Sequence, residues 1–190
     1  MKLLVLDNYD SFTYNLVHMF RSMNIDHEVY RNDKISPEEA LSFDLIILSP
    51  GPGIPSEAGN MGKIIAACAG KKPILGICLG HQAIAEYLGA KLNNMSSVYH
   101  GVKNKINILS NEEIFEGIPE EIEVGRYHSW EVVREGLPEN ISVTAEDENG
   151  TIMALSDASQ KLYGIQFHPE SVMTEYGEEM IQNFLKIAKS

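Results

Sequence analysis

The sequence predicts an α/β fold in three layers: an open, mostly parallel sheet with flanking helices and antiparallel strand additions. Two patterns carry this expectation. Three short apolar runs, Lys2–Leu6, Asp44–Leu48 and Pro73–Ile77, are each followed by turn residues and then by helical periodicity, the signature of βαβ units around a parallel sheet. From about Lys91 the texture changes to alternating strands, which read as antiparallel additions. No repeat, low-complexity segment or linker interrupts the 190 residues, so one domain over 1–190 is expected.

The first strand, Lys2–Leu6, meets a turn at Asp7–Asp10. A helix capped by Asp10 or Ser11 follows, with Phe12, Leu16, Val17, Phe20 and Met23 on one face. His27–Arg31 is the next strand. Asp44–Leu48 reads as a buried strand that stops at Ser49-Pro50-Gly51-Pro52-Gly53, because proline cannot donate to a ladder and glycine frees the backbone. A helix is expected near Glu57–Ala69. The strand Pro73–Ile77 breaks at Gly76-Ile77-Cys78-Leu79-Gly80 and gives way to a helix, His81–Leu88, ended by Gly89. Beyond it, strands are expected at Lys105–Leu109 and Glu121–Val133. Ile141–Ala145 and Thr151–Ser156 pair through Asn149-Gly150 as a hairpin. Leu162–Phe167 resumes the core, and Glu178–Ala188 is an amphipathic closing helix.

Composition narrows the function. Fifteen Lys and Arg against 27 Asp and Glu give a net charge of -12, with no basic cluster beyond Lys71-Lys72; such a surface repels phosphate backbones and argues against nucleic acid. No apolar run approaches the ~18 residues of a membrane span, and Asp7 cuts the opening run short of a signal peptide. A chain of this size buries roughly 70% of its unfolded surface without disulfides. Its two cysteines are therefore expected as free thiols in a reducing, cytoplasmic setting.

Cys78 sits in Gly-x-Cys-x-Gly between a buried strand and a helix, the arrangement of a nucleophile elbow with sulfur in place of serine oxygen. The flanking Gly76 and Gly80 avoid collisions at so tight a turn. The following helix aims its N-terminal dipole at the thiol and favours the thiolate, and the Leu79 N–H becomes a candidate oxyanion donor. The plainer reading is a buried cysteine at a strand end; the two glycines favour the elbow. Cys68, at helical spacing from Met61, Ile64 and Ile65 with no flanking turn, reads as core.

A cysteine nucleophile needs a base, and the base an orienting acceptor. Of six histidines, His168 ends the strand Gly164-Ile165-Gln166-Phe167 at the sheet edge where the Cys78 turn also lies. Pro169 turns the chain and Glu170 can fold back onto the imidazole. Alone, His-Pro-Glu is the sequence of a surface turn; beside the elbow it completes a triad of Cys78, His168 and Glu170. His18, His27 and His100 lack such a setting, His81 reads as structural or as part of a lid, and His128 can be read either way. No clustered ligands suggest a metal. Pro50-Gly51-Pro52-Gly53 lacks the Lys-Ser/Thr of a phosphate loop and reads instead as a rigid loop exposing a second oxyanion N–H.

Taken together, Ser49-Pro50-Gly51-Pro52-Gly53, Gly76-Ile77-Cys78-Leu79-Gly80-His81-Gln82 and Phe167-His168-Pro169-Glu170-Ser171 resemble the class I, or triad, glutamine amidotransferases, in the family's order and across essentially the whole chain. The opening Asp7-Asn8-Tyr9-Asp10-Ser11-Phe12-Thr13-Tyr14-Asn15 resembles the small subunits that supply anthranilate synthase or aminodeoxychorismate synthase. The resemblance implies a class I glutamine amidotransferase-like, flavodoxin-like fold, L-glutamine as substrate, Cys78 as nucleophile, His168 as acid and base, and Glu170 as its orienting group. It places the oxyanion at the N–H groups of Gly51 and Leu79, each donor contributing about 3 kcal/mol. Pro52 and Gly53 belong to the same loop, and Gln82 with the backbone of Ser129-Trp130 would hold the α-amino and α-carboxylate groups. Trp130 stands where the family more often carries leucine, at a contact made through main chain.

The resemblance further implies no cofactor, and a larger chorismate-binding synthase subunit, anthranilate synthase component I or aminodeoxychorismate synthase component I, that receives ammonia by a shielded route. The segments Asp7–Asn15 and Gly51–Glu57 are the expected docking face. Anthranilate supply for tryptophan is the leading expectation, with aminodeoxychorismate supply for folate the alternative. An independent thiol hydrolase or an idle regulatory subunit fits less well, since neither explains the opening block together with an intact triad.

Overall fold

The computed structural model describes residues 1–96 and 98–189. In chain order its elements are β1 (Leu3–Asp7), α1 (Phe12–Ser22), β2 (His27–Arg31), α2 (Pro37–Ala40), β3 (Leu45–Leu48), α3 (Met61–Cys68), β4 (Ile74–Ile77) and α4 (Leu79–Tyr87). There follow β5 (Leu92–Asn94), β6 (Val102–Ile108), β7 (Glu121–Arg126), β8 (Trp130–Val132), β9 (Ser142–Asp147), β10 (Ile152–Asp157), β11 (Leu162–Ile165) and α5 (Gly177–Ile187). The main sheet runs β2-β1-β3-β4-β11-β10-β9-β6-β7, and β5 and β8 form a separate two-stranded ribbon. The first five strands in that order are mutually parallel, and the last four are antiparallel additions, as the sequence predicted.

The inner parallel strands β1, β3, β4 and β11 are buried along their length and largely apolar because both their faces are covered, whereas the edge strand β2 is polar and partly exposed. Leu3 and Val5 of β1 point into one layer with Leu16 and Phe20 of α1 and Met180, Ile181 and Phe184 of α5. Leu4 and Leu6 point the other way, among Ile64 and Ile65 of α3 and Ile84 of α4. Each such side chain taken out of water contributes roughly 1.5–3 kcal/mol. Helix propensities differ by only a few tenths of that per residue, so burial of one face, not intrinsic propensity, holds α1 and α5 on the sheet.

The turn after β1 is built on one carboxylate: Asp7 Oδ1 accepts from Tyr9 N–H at 2.9 Å and Thr13 Oγ1 at 3.0 Å. Of the two predicted caps for α1, Asp10 supplies the bond, its Oδ1 accepting from Phe12 N–H at 2.7 Å, whereas Ser11 makes no side-chain cap. Phe12, predicted on the buried face of α1, is only half-buried, because the first turn of the helix lies beside the pocket described below.

Several predicted boundaries shift for local reasons. Glu57–Ala69 is not one helix: a 3₁₀ turn at Pro55–Glu57 precedes α3, and Gly59, at φ +53°, presses against Asn32 between them. The helix after the elbow starts at Leu79 rather than His81, with Cys78 as its N-cap. The single strand expected at Glu121–Val133 is two, since the chain leaves the main sheet after Arg126 and joins β5 from Trp130. β6 begins at Val102, three residues before its predicted start, because its pairing with β7 continues to Arg126. Among the described residues no helix is long and apolar enough to cross a membrane.

Candidate active site

The carboxyl ends of the parallel strands converge on one cavity of about 390 Å3. Cys78 follows β4 at φ 53° and ψ -100°, a conformation an L-residue holds only under constraint. The constraint is visible on both sides. Its N–H donates to Ile165 O at 2.9 Å, and α4 begins at the next residue. A Cβ on Gly76 would stand 2.3 Å from the carbonyl of Gly80, and one on Gly80 2.6 Å from Leu48 O. Both glycines of the elbow are thus required by close backbone approach.

His168 lies beyond β11, almost wholly buried, and its Nδ1–H donates to Glu170 Oε1 at 2.7 Å. This bond places the proton on Nδ1 and leaves Nε2, which makes no hydrogen bond within the described residues, as the reactive nitrogen. Cys78 and His168 line the same cavity. Burial pushes the His168 pKa down, but the Cys78 sulfur and the Glu170 carboxylate outweigh it and raise the pKa to about 10. The turn that brings Glu170 back is closed by Ser171 N–H donating to His168 O at 3.2 Å.

The loop after β3 reaches the cavity through Gly51, Pro52 and Gly53. Asn8 clamps it: its N–H donates to Ser49 Oγ at 2.9 Å and its Nδ2 to Ser49 O at 2.8 Å, while Asn32 Nδ2 donates to Asn8 Oδ1 at 3.0 Å. A Cβ on Gly51 would lie 2.6 Å from both Asn8 Cβ and Leu79 Cδ2, so only glycine brings this loop against the elbow. Gln82, Ser129 and Trp130 also form part of the cavity wall. Of the predicted site residues, eight therefore line one cavity. Leu79 and Glu170 stand outside the lining, Leu79 buried against Gly51 and Glu170 behind the imidazole.

A model of the family "Glutamine amidotransferase class-I" matches residues 4–188. The chain belongs to this family. Anthranilate synthase component 2 of Pseudomonas aeruginosa is 44% identical over 191 residues, covering 97% of this chain and 94% of that protein. Aminodeoxychorismate/anthranilate synthase component 2 of Bacillus subtilis is 43% identical over 186 residues, covering 97% and 95%. Among solved structures, a Thermoplasma acidophilum protein provisionally named as part of GMP synthase superposes with a TM-score of 0.89 at 31% identity, covering all of this chain and 94% of the other.

The amidotransferase pocket also contains residues that sequence reasoning passed over. Phe12 and Tyr127 pack edge-on against the His168 ring with centroids 4.8 and 4.9 Å away, and so restrict its rotation. His100, dismissed from sequence as lacking a catalytic setting, lines the cavity edge-on to Tyr127. No spacing signal marks these three, because they reach the site from a helix start and from irregular loops. Cys68 is buried in α3 as expected, and burial raises its pKa against the pull of Lys71 and Lys72. His81 is structural: it lies fully buried, with its pKa pushed down to about 3 by burial, in space that Gly164 leaves by lacking a Cβ.

Proposed function

We propose that this amidotransferase is the glutaminase subunit of anthranilate synthase, and that residues 1–190 act as one domain. The observation that carries the chemistry is Cys78 at a strained helix start on the same cavity as a His168 whose Nδ1 is held by Glu170. The Cys78 thiol gives its proton to His168 Nε2, whose raised pKa favours taking it. The Cys78 sulfur attacks the side-chain carboxamide carbon of L-glutamine, and the N–H groups of Gly51 and Leu79 hold the oxyanion. His168 Nε2 gives its proton to the departing nitrogen, ammonia leaves, and a glutamyl thioester remains. The neutral imidazole then takes a proton from water, hydroxide attacks the thioester, and glutamate leaves as the Cys78 thiolate re-forms. Gln82 and the backbone of Ser129-Trp130 hold the α-amino and α-carboxylate groups, and Pro52 and Gly53 complete the loop around the reacting amide.

The ammonia is used by a larger chorismate-binding synthase subunit, and must reach it unprotonated, since ammonium is not a nucleophile. The name of the Pseudomonas relative supports anthranilate as the product. The name of the Bacillus relative supports a second reading, a subunit serving aminodeoxychorismate synthase as well or instead. Exposed Tyr9 and Tyr14 in the opening block, and Val172 just past the triad, support a docking face around the cavity mouth. The test is glutamate and ammonia release from glutamine by the chain alone and with each synthase subunit plus chorismate. Stimulation by one subunit, lost in Cys78→Ser, is expected and names the product. Full turnover without any partner would instead mean an independent hydrolase.

A further inference from the structure

Behind the wall formed by Ser129 and Trp130 runs a buried polar chain that the reaction steps above do not use. It starts at Arg126, at the end of β7 and wholly buried. Arg126 Nη1 donates to Asp147 Oδ2 at 2.6 Å, and the guanidinium carbon lies 3.7 Å from the centroid of the Tyr99 ring. Its Nε–H donates to His128 Nε2 at 3.1 Å. Guanidinium has no acceptor, so Nε2 here is unprotonated, and the neutral ring must carry its proton on Nδ1. Burial, reinforced by the Arg126 charge, holds the His128 pKa down at about 4, which keeps this neutral form.

The Nδ1–H donates to the carbonyl oxygen of Trp130 at 2.8 Å. The same oxygen accepts from Gln82 Nε2 at 3.1 Å, and that amide nitrogen also donates to Gln166 Oε1 at 3.1 Å. A carbonyl can only accept, so Gln82 must point its NH2 group inward. Gln166 can flip with Gln82 and keep their mutual bond, but the Trp130 carbonyl cannot, and it therefore decides the orientation. Gln82 Oε1 is left as an acceptor without a partner among the described residues, on a side chain that lines the cavity.

We propose that Arg126 and His128 are positioning residues for substrate selection: the Asp147–Arg126–His128 chain fixes the Trp130 carbonyl, and through it turns the Gln82 carboxamide oxygen toward the α-ammonium group of glutamine. The inference rests on the reading of Gln82 as a substrate-holding residue. It explains why a buried ion pair stands behind a wall whose contacts run through main chain. A neutral substrate amine or an analogue without the amine offers that oxygen a weaker donor or none, so the chain selects for the amino acid.

Two substitutions separate the halves of the imidazole. His128→Asn keeps a donor near the Nδ1 position and loses the Nε2 acceptor, whereas His128→Gln loses the donor to Trp130. With the synthase subunit present, His128→Gln is expected to raise KM for glutamine about tenfold with kcat little changed. The inhibition constant of glutaramate, which is glutamine without its α-amino group, should stay as in the unsubstituted protein. His128→Asn should recover most of the loss. Gln82→Ala should show the same pattern, and the double variant should be no worse than either alone.

If Gln82→Ala leaves the preference for glutamine over glutaramate intact, the reading of Gln82 fails. If Gln82→Ala removes the preference and His128→Gln keeps it, that reading stands and the positioning chain is overturned. The unsubstituted protein gives a check independent of folding. Nitrogen-15 NMR of its histidines should show His128 as the neutral Nδ1–H tautomer, and the Nε2–H tautomer or an imidazolium at neutral pH would overturn the proposal.

Discussion

His168 Nδ1 stands 2.7 Å from Glu170 Oε1, with both side chains shut away from solvent. A carboxylate in that position makes one tautomer of the ring overwhelmingly favoured and stabilises its cation. Glu170→Gln keeps the shape and removes the charge. A loss of about a hundredfold or more in kcat is expected, with KM for glutamine little altered, and steady-state kinetics in the presence of the synthase subunit would measure it.

The same pair ties stability to alkaline pH. The His168 pKa is raised in the folded protein to about 10 from an ordinary value of 6.5. The folded state therefore binds the proton more tightly than the unfolded chain. Its stabilisation is complete below pH 6.5 and is lost as pH rises towards 10. Thermal unfolding followed across that window should show a falling midpoint, and Glu170→Gln should flatten the fall.

Acid acts through different histidines. His81 and His128 are held down to about 3 and about 4. Unfolding lets both take up protons near 6.5, so their contribution is present above that pH and is lost as pH falls from 6.5 towards 4 and 3. A midpoint that drops on acidification through this range is expected. His128→Asn, which removes one of the two titrating rings, should lessen the slope.

Two glycines give a contrast in sign. Gly76→Ala drives a Cβ to 2.3 Å from the backbone of Gly80, where no flexible side chain can yield, and should destabilise the fold by about 3 kcal/mol or more. Gly62, in α3, has nothing within 4 Å of its Cβ position. Gly62→Ala should stabilise by roughly 0.5–1 kcal/mol through helix propensity. Chemical denaturation of the two variants checks both.

What was legible in the sequence follows the physics of each signal. The inner parallel strands were readable because strands buried on both faces leave continuous apolar runs, and the elbow because close backbone approach demands Gly76 and Gly80. α2 was missed although its signal is present: Ser36 Oγ accepts from Glu39 N–H at 3.1 Å while Glu39 Oε2 accepts from Ser36 N–H at 2.8 Å, the Ser-x-x-Glu capping box. A four-residue helix has too few apolar positions to show a period. The division of β7 from β8 was not legible, because the cause is tertiary. Arg126 turns inward to Asp147, 21 residues on, and the chain behind it is taken up by β5. Gln82 and Trp130 were placed by resemblance, but the Trp130 carbonyl that accepts from both Gln82 and His128 could be seen only in three dimensions.

The most direct measurement is reaction of the complex with the diazoketone analogue of glutamine, followed by peptide mapping of both cysteines. Cys78 lines the cavity and Cys68 is wholly buried in α3, so one thiol alone is in reach of the analogue. Stoichiometric alkylation of Cys78, prevented by excess glutamine and parallel to the loss of ammonia release, is the expected result. Inactivation with the label on any other residue, or glutamine turnover undiminished in Cys78→Ser, would contradict a thioester mechanism at Cys78.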